Sequence, residues 1–430
     1  MSTSAAQPEA TGEARAQTPP AAPPTPLSMR EVLRITTMRR LWYAQIVSIF
    51  GDFLALFAVI GVLTFKLHAT PQQVTGVQIW YLVPIAVLGI LAGVFVDRWP
   101  LKRTLVSSDL IRGVLVLLLL VSTQIWHYYL ILAAISVVSS FFGPAQGVVI
   151  REAVPMHGLR SSNALMQQAI FMMRIIGPAA AGMLVASFGA FSCYLLDAAS
   201  FFISASVITS LAIQRSAAVH HHTAAEDKGA IAKIWHDMQQ GMNFILHHAA
   251  LLFVILAMSA GMFVIGCFGP LIAVCVRDSV HAATAVYGWA SAMIGVGMLG
   301  GVNLINTYGK KIRNTVLVYT GLLGIAASLL VLFALTYIWS TLLGDFMIGC
   351  AVAAIIIPAQ TLMQQETPPE LMGRVGSTFM SCVFTAQLLG LLLSGALAQF
   401  TSVRNVFAIC AAMLVVLCLA GKLFMEPKAA

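Results

Sequence analysis

The sequence predicts an all-α polytopic membrane protein, with twelve transmembrane helices in two pseudo-symmetric six-helix bundles. Three observations predict it. First, 59% of its 430 residues are hydrophobic and only 9% are charged, with a mean hydropathy of +0.89, where a soluble domain carries about a quarter charged residues. Second, apolar runs long enough to cross a ~30 Å hydrocarbon core recur along almost the whole chain. Stretches such as Gly113–Val121 and Leu322–Leu335 do not alternate as the strands of a membrane barrel would. Backbone inside lipid must satisfy its own hydrogen bonds, so these runs are helices. Third, Pro144-Ala145-Gln146, Glu152 and Arg160 recur 214 positions later as Pro358-Ala359-Gln360, Glu366 and Arg374. Such an internal repeat of six-helix units points to a transporter built from two related bundles.

In chain order, residues 1–28 are rich in Ala, Pro and Thr with no apolar core, which predicts a disordered cytoplasmic tail rather than a signal peptide or anchor. The N-terminal bundle is expected over 29–213, with helices at about 41–66, 76–97, 104–123, 126–150, 163–186 and 189–213. A polar linker follows at 214–249. Within it Ile231, Ile234, Trp235, Met238, Met242 and Ile245 recur at helical spacing, which predicts an amphipathic helix on the inner membrane face. The C-terminal bundle is expected over 250–430, with helices at about 250–275, 285–307, 314–334, 337–362, 372–399 and 402–424. Aromatic residues near many of these ends (Trp42 and Tyr43, Trp80 and Tyr81, Trp126 to Tyr129, Tyr337 and Trp339) belong at headgroup level.

The formal net charge of +8 does not imply a nucleic-acid partner. Nineteen of the 24 Lys and Arg fall in alternate loops and the two tails, three (Lys66, Arg277, Arg404) fall in the opposite loops, and Arg112 and Arg174 lie inside helices. That asymmetry follows the positive-inside rule and places both termini in the cytoplasm, for a multi-pass protein of a bacterial plasma membrane. All seven Cys lie in apolar runs without CxxC spacing and read as small buried hydrophobes. His220, His221 and His222, with Glu226 and Asp227 nearby, read as solvated linker rather than a metal site. There is no HExxH, Walker A run or serine elbow, so neither catalysis, a metal or other cofactor, nor ATP drive is expected.

Three stretches resemble the major facilitator superfamily, and within it the branch that exports drugs and siderophores. Gly93-Val-Phe-Val-Asp97-Arg98-Trp-Pro-Leu-Lys102-Arg103 resembles the superfamily's signature loop between helices two and three. Gly177-Pro178-Ala-Ala-Ala181-Gly182 resembles the antiporter motif of helix five. Ser48-Ile-Phe-Gly51-Asp52, with Leu195-Leu-Asp197-Ala-Ala-Ser200, resembles the exporter branch that includes macrolide efflux proteins and enterobactin exporters. The second half departs from the signature: Ile305 and Asn306 stand where Asp97 and Arg98 do in the first, while Lys310 and Lys311 keep the bases. A charge latch is therefore expected on one side only, formed by Gly93, Asp97, Arg98, Lys102, Arg103 and Glu152. Asp97 would face the positive end of helix eleven, Arg98 would reach Glu152, and the latch would hold an outward-open state.

Small residues four apart let helix backbones approach where lipid gives no drive to pack. They occur at Gly89/Gly93, Gly177/Ala181, Gly297/Gly301 and Gly390/Ser394. The resemblance implies that these four helices meet across the halves, two with eleven and five with eight. Pro178 removes a backbone donor from helix five, and Gly269-Pro270 is expected to break helix seven near its outer half. Charges inside the membrane cost ~2.5–3.5 kcal/mol each on insertion scales, so they need a reason. Two readings stand for Asp52: a protonatable cavity site whose switching partner is Arg174 or Arg112, or a permanent structural ion pair. Asp109 and Arg112 have the spacing of a local pair. Asp197 and Asp345 are candidate cavity residues, as are Met172, Met173, Met262, Phe263, Phe379 and Met380.

The expected function is secondary active efflux of amphipathic small molecules, drugs or siderophores, in exchange for protons and by alternating access, by a monomer whose other partner is the lipid bilayer. A lipid or lysophospholipid flippase on the same fold is the alternative, and a non-transporting receptor or scaffold the third reading.

Overall fold

The computed structural model describes residues 27–96, 99–211, 238–309, 312–368 and 371–424. Among them run twelve helices of 18 residues or more. They are α1 (Thr36–Gly61, extended by a π-helical turn Val62–Lys66), α2 (Pro71–Val96), α3 (Leu101–Leu118), α4 (Ile125–Ala153), α5 (Leu159–Phe188), α6 (Ala190–Thr209), α7 (Ala249–Asp278), α8 (Thr284–Tyr308), α9 (Asn314–Ala334), α10 (Ile338–Glu366), α11 (Met372–Phe400) and α12 (Val403–Phe424). Ten helices, counted among the described residues, are long and apolar enough to cross a membrane. Several run a turn past the hydropathy limits, because a helix continues into the headgroup region where its residues are no longer apolar.

Local chemistry sets the ends. Pro71 opens α2 at the position where a missing N–H costs nothing, behind a capping box in which Thr70 N–H donates to Gln73 Oε1 at 2.9 Å. The polar turns of the repeat stop α4 and α10 alike. Val154 and Thr367 are extended C-caps, each followed by a proline that disfavours helix in the residue before it. Gly189, at φ 84°, makes the reversal from α5 to α6.

The repeat is visible in the packing. Within the first six helices α1 packs on α5 and α6, α2 on α4, and α3 on α4 and α6; within the second six α7 packs on α11 and α12, α8 on α10, and α9 on α10 and α12. Between the two sets α5 packs on α8 and α2 on α11, with smaller contacts of α7 on α1 and α2. The helix pairing expected across the halves is thus present. Hydrogen bonds, ring pairs and glycine contacts that cross between the halves cluster at one end of the molecule. Gly182 meets Gly288, Gly395 meets Gln72 and Thr75, Phe57 stacks on Tyr287 at 4.3 Å, and Arg277 reaches Thr64 and Ala69. This is the end carrying the α1–α2, α5–α6, α7–α8 and α11–α12 turns.

Two expectations change. Helix α7 is not broken at Pro270 but runs unbroken from Ala249 to Asp278. Pro270 removes one bond, and the buried flank beside it, where Gly266 lies against the Gln387 backbone, holds the rest of the helix. Leu27 and Ser28, expected in the disordered tail, are docked. Ser161 Oγ donates to Leu27 O at 2.6 Å, and Ser28 caps the short helix Met29–Arg34 with Glu31. The Ser28 N–H and hydroxyl that bind the Glu31 carboxylate hold it below the usual carboxylate range. Of the expected amphipathic helix, residues 238–246 are helical and the earlier part lies outside the described residues. The helical part packs on α11, with Gly241 against Arg374 and Thr378, and Arg374 donates to Gln240.

Candidate functional site: a buried charge cluster in the first bundle

The first bundle gathers acid and base at mid-membrane depth. Asp52 lies near the middle of the 31-residue Thr36–Lys66 span. One residue earlier, Gly51 sits where α1 meets α6: a methyl there would collide with Asp197 and with Ser200. Glycine at this position lets the acid-bearing face of α6 close onto α1. Asp197 is 1% exposed, and Ser200 Oγ donates to Asp197 O at 2.7 Å and contacts Oδ1 at 3.4 Å.

On α3, Asp109 and Arg112 are one turn apart and form an ion pair inside the bundle, with Asp109 0% exposed and Arg112 5%. Ser204 of α6 donates to Asp109 Oδ2 at 2.6 Å. The Arg112 guanidinium lies between two rings, 4.5 Å from the Phe142 centroid and 4.4 Å from that of Phe201. Desolvated cation–π contacts of this kind are worth ~2 kcal/mol. Three helices, α3, α4 and α6, therefore hold one fixed cation. Its Nε and the hydroxyl of Ser48, one turn from Asp52, are buried without a hydrogen-bond partner.

Asp52 faces this arrangement without joining it. It lies in the field of Arg112 and Asp109, and Asp197 and Tyr81 share that field. Among the described residues no hydrogen bond or ion pair holds Asp52. Asp52 and Asp197 thus lie within electrostatic reach of a guanidinium that Asp109 already binds. Arg174, the other expected partner, is helical on α5, and its side chain lies outside the described residues.

These are the features of a membrane protein that manages charge at its centre, and the whole-chain comparison says of what kind. A family described as transmembrane secretion effectors matches residues 28–429. The chain belongs to that family, within the major facilitator superfamily. It is 27% identical over 380 residues to the uncharacterised MFS-type transporter YfiS of Bacillus subtilis, covering 87% of this chain and 89% of the relative. It is 24% identical over 392 residues to Macrolide efflux protein A of Streptococcus pyogenes, covering 87% and 92%. Among solved structures it resembles a bacterial homologue of the human lysosomal transporter Spinster, with a TM-score of 0.64 at 12% identity and coverage of 92% and 99%. This secretion-effector chain is therefore a transporter in family and fold.

The other expected residues of the transporter are dispersed. Asp345 is on α10, in the second bundle, 0% exposed with both carboxyl oxygens lacking a hydrogen-bond partner. It does not meet the cluster around Asp52; its field reaches Tyr287 and Cys275. Gly177 packs on Phe53 of α1, while Gly182 and the Pro178 carbonyl meet Gly288. Gly297 and Gly301 lie against Phe346 and Cys350 of α10, and Gly390 against Phe263 of α7, so these three pack within their own bundle rather than across the halves. Met173 and Phe379 are buried in helix packing, while Met172 and Met380 are exposed.

In the loop after α2, Gly89 and Gly93 lie on that helix, and Asp97 and Arg98 fall outside the described residues. Lys102 and Arg103 form the first turn of α3, where Arg103 borders a groove of about 390 Å³ with Trp99, Ser107 and Phe141. Glu152, near the end of α4, is half-buried and engaged. Sequence reading missed Ser204, Phe142, Phe201 and Tyr81. Ser200 and Ser204 at i, i+4 offered a signal for a polar face on α6; nothing in the sequence pointed to the two rings.

Proposed function

We propose that the protein exports amphipathic small molecules, drugs or siderophores, by alternating access, with protons moving inward in exchange. The observation that supports the proton role is Asp52: a mid-membrane carboxyl beside a cation already claimed by Asp109. Arg112, clamped by two rings and its own acid, is a fixed charge rather than a moving one. A conformational change that alters the distance of Asp52 from that charge, or its access to water, alters the cost of ionising Asp52. The carboxyl takes a proton in one state and yields it in the other. The membrane potential adds ~2.3 kcal/mol per charge per 100 mV, enough for a useful gradient from one proton.

By the positive-inside reading, the end at which the halves meet is the external one, which supports an inward-open state, the one from which an exporter loads. The test is efflux of dyes, macrolides and catechol siderophores from a hypersensitive host, with and without a protonophore. Asp52→Asn is expected to abolish efflux driven by a pH gradient while substrate still binds. Wild-type efflux rates in that variant would overturn the proton role. Transport of headgroup-labelled lipid by proteoliposomes, without efflux of any of the panel, would favour the flippase reading.

A further inference from the structure

Helices α1 and α7 end in the same way. Leu67 N–H donates to Val62 O at 2.9 Å and Ala69 N–H to Leu63 O at 2.9 Å; 213 positions later, Val280 N–H donates to Cys275 O at 3.1 Å and Ala282 N–H to Val276 O at 3.0 Å. Between each pair of bonds sits a histidine in the left-handed region, His68 at φ 48° and His281 at φ 53°. In this register Arg277 is the counterpart of Thr64. Arg277 is also the residue that crosses between the bundles: Nη1 donates to Thr64 O at 2.8 Å and to Ala69 O at 2.8 Å. Equivalent residues of two related bundles meet only near the axis that relates them, so this bond lies close to that axis, at the end where the halves meet.

The chemistry suits a cation there. A helix C-terminus leaves carbonyls without intrahelical donors and carries partial negative charge. Asp278 binds the same guanidinium twice, Oδ1 to Nε at 2.5 Å and Oδ2 to Nη2 at 2.8 Å, which fixes its fork toward α1. The Arg277 side chain is 16% exposed and that of Asp278 51%, so the acid faces water and the base the seam. The first bundle has Thr64 at this position, so the arrangement is single.

We propose that Arg277, oriented by Asp278, is a clasp that holds the outer ends of the two bundles together and so sets the population of the inward-open state. The proposal rests on the alternating-access reading. Opening the outer end separates the guanidinium from both carbonyls, and the clasp opposes that step.

The test uses full-length protein in proteoliposomes, its seven cysteines replaced and transport retained. Spin labels at Gln124 and Ser402 report the outer ends, and labels at Met156 and Ile312 the inner ends. In Arg277→Ala the outer distance is expected to lengthen and the inner to shorten without any cargo, with the outward-open fraction raised at least about fivefold, as loss of charge-assisted bonds requires. Arg277→Lys keeps the charge without the fork and should shift less. Asp278→Asn should shift in the same direction, and its effect should vanish in the Arg277→Ala background. Unchanged populations in Arg277→Ala and Arg277→Lys, with a wild type whose two distances respond reciprocally to an imposed pH step, would overturn the clasp alone. A wild type that transports with no reciprocal change at either end would overturn both the clasp and alternating access.

Discussion

At the residue scale two charges at similar depth have different standing. Arg112 is tied to Asp109 and to two rings, so removing it leaves a fully buried carboxylate supported by Ser204 alone. Arg112→Ala is expected to destabilise the first bundle by ~3–5 kcal/mol, seen as a lower unfolding temperature in detergent, with Arg112→Lys losing less. Asp52→Asn should change the unfolding temperature little and the coupling greatly. Equal destabilisation by the two would make Asp52 a structural ion-pair member after all. The pair of Asp109 with Arg112 was legible in the sequence because both lie on one helix at i, i+3. Ser204, Phe142 and Phe201 were not, because each comes from another helix and hydropathy carries no information on which helices touch.

At the element scale, glycine spacing marks a face that admits close approach but not the helix that approaches. Gly297 and Gly301 read as contacts between the halves and instead seat α10 on α8 inside the second bundle, while Gly288, outside the spaced pair, meets Gly182 across the seam. The two kinds of contact should fail differently. Gly288→Leu puts a side chain where backbone lies on backbone, so the outer end cannot close; transport should fall more than about tenfold while the protein still folds, since each bundle's own packing is untouched. Gly297→Leu should instead lower thermal stability by about 1–3 kcal/mol or more, as overpacking does. Size-exclusion profiles and thermal unfolding, read beside efflux, separate the two. The continuity of α7 through Pro270 follows the same logic, since one missing donor inside a packed bundle is cheaper than a break that frees several backbone groups.

At the scale of the whole molecule, the two ends carry different devices. The end with the α1–α2 turn carries backbone contacts between the halves and Arg277; the opposite end, inner by the positive-inside reading, carries the loop after α2, with its acid in the first half only. If that loop latches the inner end, Asp97→Asn should slow turnover several-fold without weakening substrate binding and should shift the inner-end distance toward opening. That is the reverse of the shift expected from Arg277→Ala, and steady-state efflux with the same spin-label pairs would show it. Unchanged turnover would remove the latch.

The sequence by itself determined the number and order of the helices and their repetition. Those follow from hydropathy and from the need of each lipid-embedded segment to satisfy its own backbone, which are local properties of the chain. Only the tertiary structure decided at which end the halves meet through Arg277, which glycines lie on the seam, and which acid owns Arg112. These depend on groups that neighbouring helices bring together from far apart in the chain, such as Asp109 with Ser204 and Thr64 with Arg277. They depend also on how two bundles lean on each other, which no local property of the chain records.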